Sequence, residues 1–179
     1  MHLILTGATG LVDSAVLHHM IKTPSVTEVS ILSRRPVPQA EGHGKVQVII
    51  HKDFNTYPGE VIERLRGAEG CVWAQGISSM KATNESVYPL PLYVWNINLL
   101  NYDREYQKIT YDYPLAAARA FTALPESGVP FKFVYVSGEG ATTSPGIFTP
   151  HFGLVKGRVE TALFVLSKDT QFHNLRPFS

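Results

Sequence analysis

Leu3-Ile4-Leu5-Thr6-Gly7-Ala8-Thr9-Gly10-Leu11-Val12-Asp13-Ser14-Ala15-Val16 is the stretch that decides the fold of this 179-residue chain. The apolar run Leu3 to Leu5 predicts a buried strand, and the glycines at 7 and 10 cut it off. Apolar residues at helical spacing follow at Leu11, Val12, Ala15, Val16 and Met20. Strand, glycine turn and helix in that order point free backbone N–H groups and the positive end of a helix dipole at one spot, where a phosphate is held. Gly7 is expected to make the tight turn. Gly10 is expected to let a pyrophosphate come close to the backbone.

Outward from that unit, strands and helices alternate. Glu28 to Leu32 predicts a second strand, ending in Ser33-Arg34-Arg35-Pro36 and a Pro/Gly-rich loop through Gly44. Val46 to Ile50 predicts a third strand, running into His51-Lys52-Asp53-Phe54, and a helix is expected over Gly59 to Arg66. Gly70 to Ala74 predicts a fourth strand that stops at Gln75-Gly76. A helix over about 112–124, a fifth strand at Phe131 to Val136, a helix over about 153–167 and a short strand at Phe172 to Leu175 complete the pattern. Such alternation predicts a single α/β domain, a doubly wound parallel sheet of Rossmann type. Ligands of such sheets sit beyond the carboxyl ends of the strands.

The segment from Val87 to Gln107 breaks the pattern. It holds five aromatic rings, two prolines and three asparagines, with neither strand alternation nor a helical period. Connections longer than about 12–15 residues are uncommon in compact domains. Two readings stand: an inserted substrate-side loop, or a segment foreign to the fold. Valine codons begin with GT and glutamine can be CAG, so the second reading is a translated intron; a gene lacking GT and AG at those two points would exclude it. The chain's close, Leu175-Arg176-Pro177-Phe178-Ser179, predicts a short or truncated substrate region.

Bulk properties narrow the function classes. A net charge of +1 gives no electrostatic reason to expect nucleic acid or an anionic membrane as partner. Cys71 is the one cysteine and cannot form an internal disulfide. With no signal-peptide pattern, a cytoplasmic location is expected. The histidines at 2, 18, 19, 43, 51 and 173 show no metal-ligand spacing, and no metal is expected.

Thr6-Gly7-Ala8-Thr9-Gly10-Leu11-Val12 resembles the T-G-x-x-G-x-x-G fingerprint of extended and atypical short-chain dehydrogenase/reductases, a family that includes nucleotide-sugar epimerases, dehydratases and NmrA-type sensors. The resemblance spans nearly the whole chain apart from the insert and implies a dinucleotide ligand on these seven residues. Position 13 departs from it, since Asp13 stands where the family has a third glycine. That glycine lets helix and strand pack closely, and a carboxylate there brings like charge toward a pyrophosphate. Asp13→Gly is therefore expected to tighten dinucleotide binding by about fivefold, roughly 1 kcal/mol for one charge near the surface. Equal affinities by calorimetry would clear the carboxylate of blame.

The cofactor follows from the end of the second strand. NAD sites place an acid there for the ribose 2′-hydroxyl, whereas Ser33-Arg34-Arg35 offers guanidinium forks suited to a 2′-phosphate. NADP(H) is thus favoured over NAD(H). Asp53 resembles the family acid near the adenine, and Gln75-Gly76 resembles the loop beside the nicotinamide-side ribose.

The resemblance also implies a serine after the fifth strand and a Tyr-x-x-x-Lys on the next helix, in which the lysine lowers the tyrosine pKa and the phenol exchanges a proton with the substrate. Val134-Tyr135-Val136-Ser137-Gly138-Glu139-Gly140 supplies Ser137, and Phe152-Gly153-Leu154-Val155-Lys156 aligns Lys156 with the lysine. The tyrosine position is Phe152, and a phenyl ring carries no proton. His151, which titrates near neutrality, is the first candidate to stand in, with Tyr111 and Tyr113 as further ones; each also has a plain packing reading. Two functions follow: an NADP(H)-dependent oxidoreductase or epimerase-type enzyme with an impaired site acting on a small molecule, or a non-catalytic dinucleotide sensor of the NmrA sort.

Overall fold

The structure, a computed structural model, describes residues 1–76, 104–125, 130–138, 140–144, 146, 149, 151–169 and 172–175; of these, 11–13, 169 and 172–175 are described by their backbone. Six strands form one parallel sheet: β1 (His2–Thr6), β2 (Glu28–Ser33), β3 (Val46–Ile50), β4 (Gly70–Trp73), β5 (Phe131–Tyr135) and β6 (Phe172–Leu175). Their spatial order is β3-β2-β1-β4-β5-β6, with every neighbouring pair parallel. The helices are α1 (Leu11–Lys22), α2 (Gly59–Arg64), α3 (Tyr113–Phe121) and α4 (His151–Asp169).

β1 lies in the middle, with Leu5 opposite Ile31 on one side and Val72 on the other. Both of its faces are covered, so neighbouring side chains enter different cores. Ile4 joins Cys71, Trp73, Phe131 and Phe133 beneath α2, α3 and α4. Leu5 joins Val29 and Ile31 beneath Leu17 and Met20 of α1. The chain therefore leaves β1 into the helix that covers one face, while α2, α3 and α4 cover the other. The crevice beyond the carboxyl ends of β1 and β4, where the strand order reverses, is the switch point at which such sheets place a ligand.

The helix following the insert differs from the expectation. Residues 104–107 are already helical, Lys108–Asp112 form a π turn, and α3 continues from Tyr113 to Phe121. Tyr106, the next-to-last residue of the 87–107 segment, is 2% exposed. The last four residues of that segment thus belong to the folded body, while 87–103 lie outside the described residues. The expected start at 112 is too late because the expected segment boundary at Gln107 cut across a helical spacing that begins earlier, with Tyr106, Ile109, Thr110 and Tyr113 buried at i, i+3, i+4 and i+7. Tyr111 and Tyr113 consequently lie within the helix instead of opening it. The last helix starts at His151, two residues before the expected Gly153, within the usual scatter of helix ends.

Candidate functional site

The glycine turn is the first wall of the crevice. Gly7 has φ +86°, a conformation in which an L side chain is strained, and its carbonyl accepts the Gly10 N–H at 2.9 Å. Gly10 then caps α1 with extended backbone and no side-chain hydrogen bond, so the positive helix end faces the turn without a side-chain cap. Ala8 is buried, and so is Thr6, whose hydroxyl has no partner among the described residues. Leu11, Val12 and Asp13 occupy the first turn of α1. Their side chains lie outside the described set.

The arginine pair after β2 divides. Arg35 reaches back across the turn and donates from Nη2 to the Thr9 hydroxyl at 3.2 Å, while its backbone N–H donates to Ser33 Oγ at 3.3 Å. Ser33 is buried, and its carbonyl accepts the His51 N–H at 2.8 Å, tying the ends of β2 and β3 together. Arg34 is exposed. The structure thus brings Arg35, Thr9 and Ser33 to one place.

Asp53 is exposed and committed locally. Its Oδ1 accepts the Asn55 N–H at 3.2 Å and its Oδ2 accepts the Thr56 hydroxyl at 3.3 Å, an Asx turn leading toward α2. Gln75, just past β4, is half-buried; both polar atoms of its amide are shielded from solvent and have no partner among the described residues. Buried amides without a partner are costly, and an amide at the mouth of the crevice fits a ligand hydroxyl. Gly76 beside it is exposed.

The second wall carries Ser137 and Lys156. Ser137 Oγ is likewise buried and has no partner among the described residues. The loop after β5 is pressed onto α4 by its glycines: the Thr142 N–H donates to the Gly153 carbonyl at 3.3 Å, and a Cβ added at Gly153 or Gly157 would collide with the carbonyl oxygen of Gly140 or Thr142. Gly138 faces Lys156, since a Cβ there would lie 2.6 Å from Nζ. Burial holds the Lys156 ammonium below its ordinary pKa, and Glu160 one turn later works against that shift.

Phe152, at the tyrosine position, sets its ring against Gly140, which has φ +83°. His151 is exposed at the first position of α4, its ring 6.2 Å from that of Tyr106. Tyr113 is buried against Phe54, and Tyr111 lies under the Arg158 guanidinium at 5.3 Å, so both pack as structural residues. Burial raises the pKa of Tyr135, beside the site, and its phenol therefore keeps its proton. Gly138, Gly140 and Tyr106 play parts in this geometry that spacing alone did not single out. The glycine-rich run after Ser137 was the available signal.

Among the described residues no group of three His, Cys, Asp or Glu is placed to hold a metal ion, and no helix is long and apolar enough to cross a membrane.

Comparison with solved structures matches this architecture. The UDP-glucose 4-epimerase of Thermotoga maritima, solved with UDP-glucose, superposes with a TM-score of 0.67 at 16% identity, over 98% of this chain and 54% of that one. The chain has the Rossmann fold of the nucleotide-sugar epimerases and short-chain reductases. A dTDP-glucose 4,6-dehydratase of Bacillus anthracis, solved in complex with NAD, gives 0.65 at 13% identity over 98% of this chain and 53% of that one. Among curated proteins, leucinostatins biosynthesis cluster protein T of Purpureocillium lilacinum is 39% identical over 169 residues, 94% of this chain and 53% of that protein. This Rossmann chain therefore spans about half the length of these relatives. No family model matches it.

Proposed function

We propose that the chain binds a dinucleotide, NADP(H) in preference to NAD(H), across Thr6–Val12, Ser33–Arg35 and Gln75–Gly76, on an oxidoreductase- or epimerase-type scaffold whose Tyr-x-x-x-Lys site lacks its proton donor. The observation that carries this reading is Arg35 bonded to Thr9 over the glycine turn, with no acid at the end of β2. A guanidinium there meets a ribose 2′-phosphate in two parallel hydrogen bonds. A bound nicotinamide supplies hydride transfer. The protein's own part is to cradle the phosphates on the α1 terminus, to hold a ribose hydroxyl on Gln75 and Lys156, and to orient a substrate oxygen on Ser137. The substrate on this reading is a small molecule bearing a carbonyl or hydroxyl, the group that Ser137 would orient.

Titration with NADPH tests the reading. Trp73, fully buried at the end of β4 two residues before Gln75, is expected to change its emission on binding; no change in emission together with no heat in calorimetry would remove it. Arg35→Ala is expected to weaken NADPH about tenfold, ~1.4 kcal/mol for a charge-assisted contact, while leaving NADH nearly unchanged. Equal losses for both would place Arg35 away from the 2′-phosphate. A second reading, a non-catalytic sensor, is favoured by Phe152: binding without turnover on any carbonyl substrate, and none after restoring a phenol, would support it.

A further inference from the structure

We propose that Lys156 forms an imine with an aldehyde or ketone seated against the Ser137 loop, an amine chemistry distinct from hydride transfer. It rests on the reading that the space between Ser137 and Lys156 receives a carbonyl substrate. Three observations carry it. The Lys156 side chain lies along the bare backbone of Gly138, with a built Cβ at 2.6 Å from Nζ and 3.5 Å from both Cδ and Cε. Nζ makes no hydrogen bond or ion pair with any described residue, and the neighbouring Ser137 hydroxyl has none either. Phe152, one turn earlier on α4, puts no ionisable group at the position where a phenolate would have held the amine as an ammonium.

A half-buried lysine with no hydrogen-bond or ion-pair partner among the described residues, and with the Glu160 charge one turn away outweighed by burial, is closer to the form in which amines act as nucleophiles on carbonyls. The depressed ammonium pKa of this side chain agrees with that placement. In the step, the ammonium gives up one proton and the nitrogen lone pair forms the C–N bond. The carbonyl π pair moves to oxygen, which takes the proton to give a carbinolamine. The C–O bond then breaks and the oxygen leaves as water with a second nitrogen-bound hydrogen, forming the protonated imine. Ammonium and carbonyl thus become iminium and water, with no net change in charge and no oxidant or reductant. The Ser137 hydroxyl is available to hydrogen-bond the carbinolamine oxygen.

The test treats the full chain with butanal and cyanoborohydride, which fixes imines as N-butyl lysine, and follows each lysine by peptide mass over time. Lys156 is expected to label at least tenfold faster than the exposed Lys22, Lys52, Lys132 and Lys168; labelling no faster than these overturns the proposal. Gly138→Ala puts a methyl where the amine lies and is expected to cut the Lys156 rate at least fivefold with the melting temperature held. An unchanged rate would show that this seat is not what makes the amine reactive, and would also overturn it. The outcome separates from the dinucleotide reading. NADPH binding with an inert Lys156 sinks the imine alone, and rapid labelling with no NADPH binding sinks the dinucleotide alone.

Discussion

Gly157→Ala is expected to lower the melting temperature by about 10 °C. An alanine Cβ at that position would fall on the Thr142 carbonyl, with the Thr143 nitrogen at 3.2 Å. Both partners are backbone, so neither swings aside as the end of a long side chain would. Alanine in place of glycine in a helix interior gains roughly 1 kcal/mol, but forcing an atom into a filled contact costs about 1–3 kcal/mol and occasionally more. With main chain on both sides, the cost exceeds that range, at about 4 kcal/mol, and dominates. A net loss of about 3 kcal/mol corresponds to ~10 °C for a chain of this length. Gly59, at the start of α2, supplies the contrast: a Cβ there meets nothing within 4 Å, and Gly59→Ala is expected to leave the melting point unchanged or slightly raised. A Gly157→Ala protein melting with the parent would mean that the loop does not lie on α4 as described.

Phe152→Tyr is expected to raise the rate of carbonyl reduction with NADPH about 100-fold. General acid catalysis by a placed side chain contributes roughly 10²–10⁴ in rate, and the low end suits a site not otherwise tuned. Phe152 and Lys156 lie one helical turn apart on α4, so a phenol at 152 has the ammonium beside it to lower its pKa. Room for the hydroxyl comes from Gly140: the ring's Cζ lies 3.4 Å from where a Cβ would stand, and glycine leaves that volume open. NADPH consumption by both proteins against a panel of small aldehydes measures the gain. A rate equal to the parent's, with NADPH affinity preserved, would show that more than the proton donor is missing.

Most of the sheet was legible because its signals are local. Short apolar runs ended by Thr6-Gly7, Ser33-Arg34 and Gln75-Gly76 mark β1, β2 and β4, and each lies within a residue of the expected bounds. The Tyr106–Asp112 stretch was not legible in the same way. The buried Tyr106, Ile109, Thr110 and Tyr113 do fall at helical spacing, i, i+3, i+4 and i+7, but the aromatic and proline-rich run before them, read as one segment through Gln107, cut across that period. In the site, motif spacing led to the glycine turn and to the expectation of Ser137 after β5 and Lys156 on the helix that follows. The reach of Arg35 to Thr9 and the docking of Lys156 on Gly138 depend on side-chain paths between strands distant in sequence. Asp53 illustrates the converse: a carboxylate expected near the adenine whose two oxygens are taken up by its own turn.

The carbonyls of Gly140 and Thr142 rest directly on the α-carbons of Gly153 and Gly157, with no side chain between them to act as a spring. The interval from serine to lysine is therefore fixed by main chain on both sides, and a small molecule bound there as proposed would have to conform to it. Recognition at this end of the crevice would then be of the lock-like kind. Little ordering entropy would be left to lose on association, and selectivity would come from the ligand's shape more than from any remodelling of the loop.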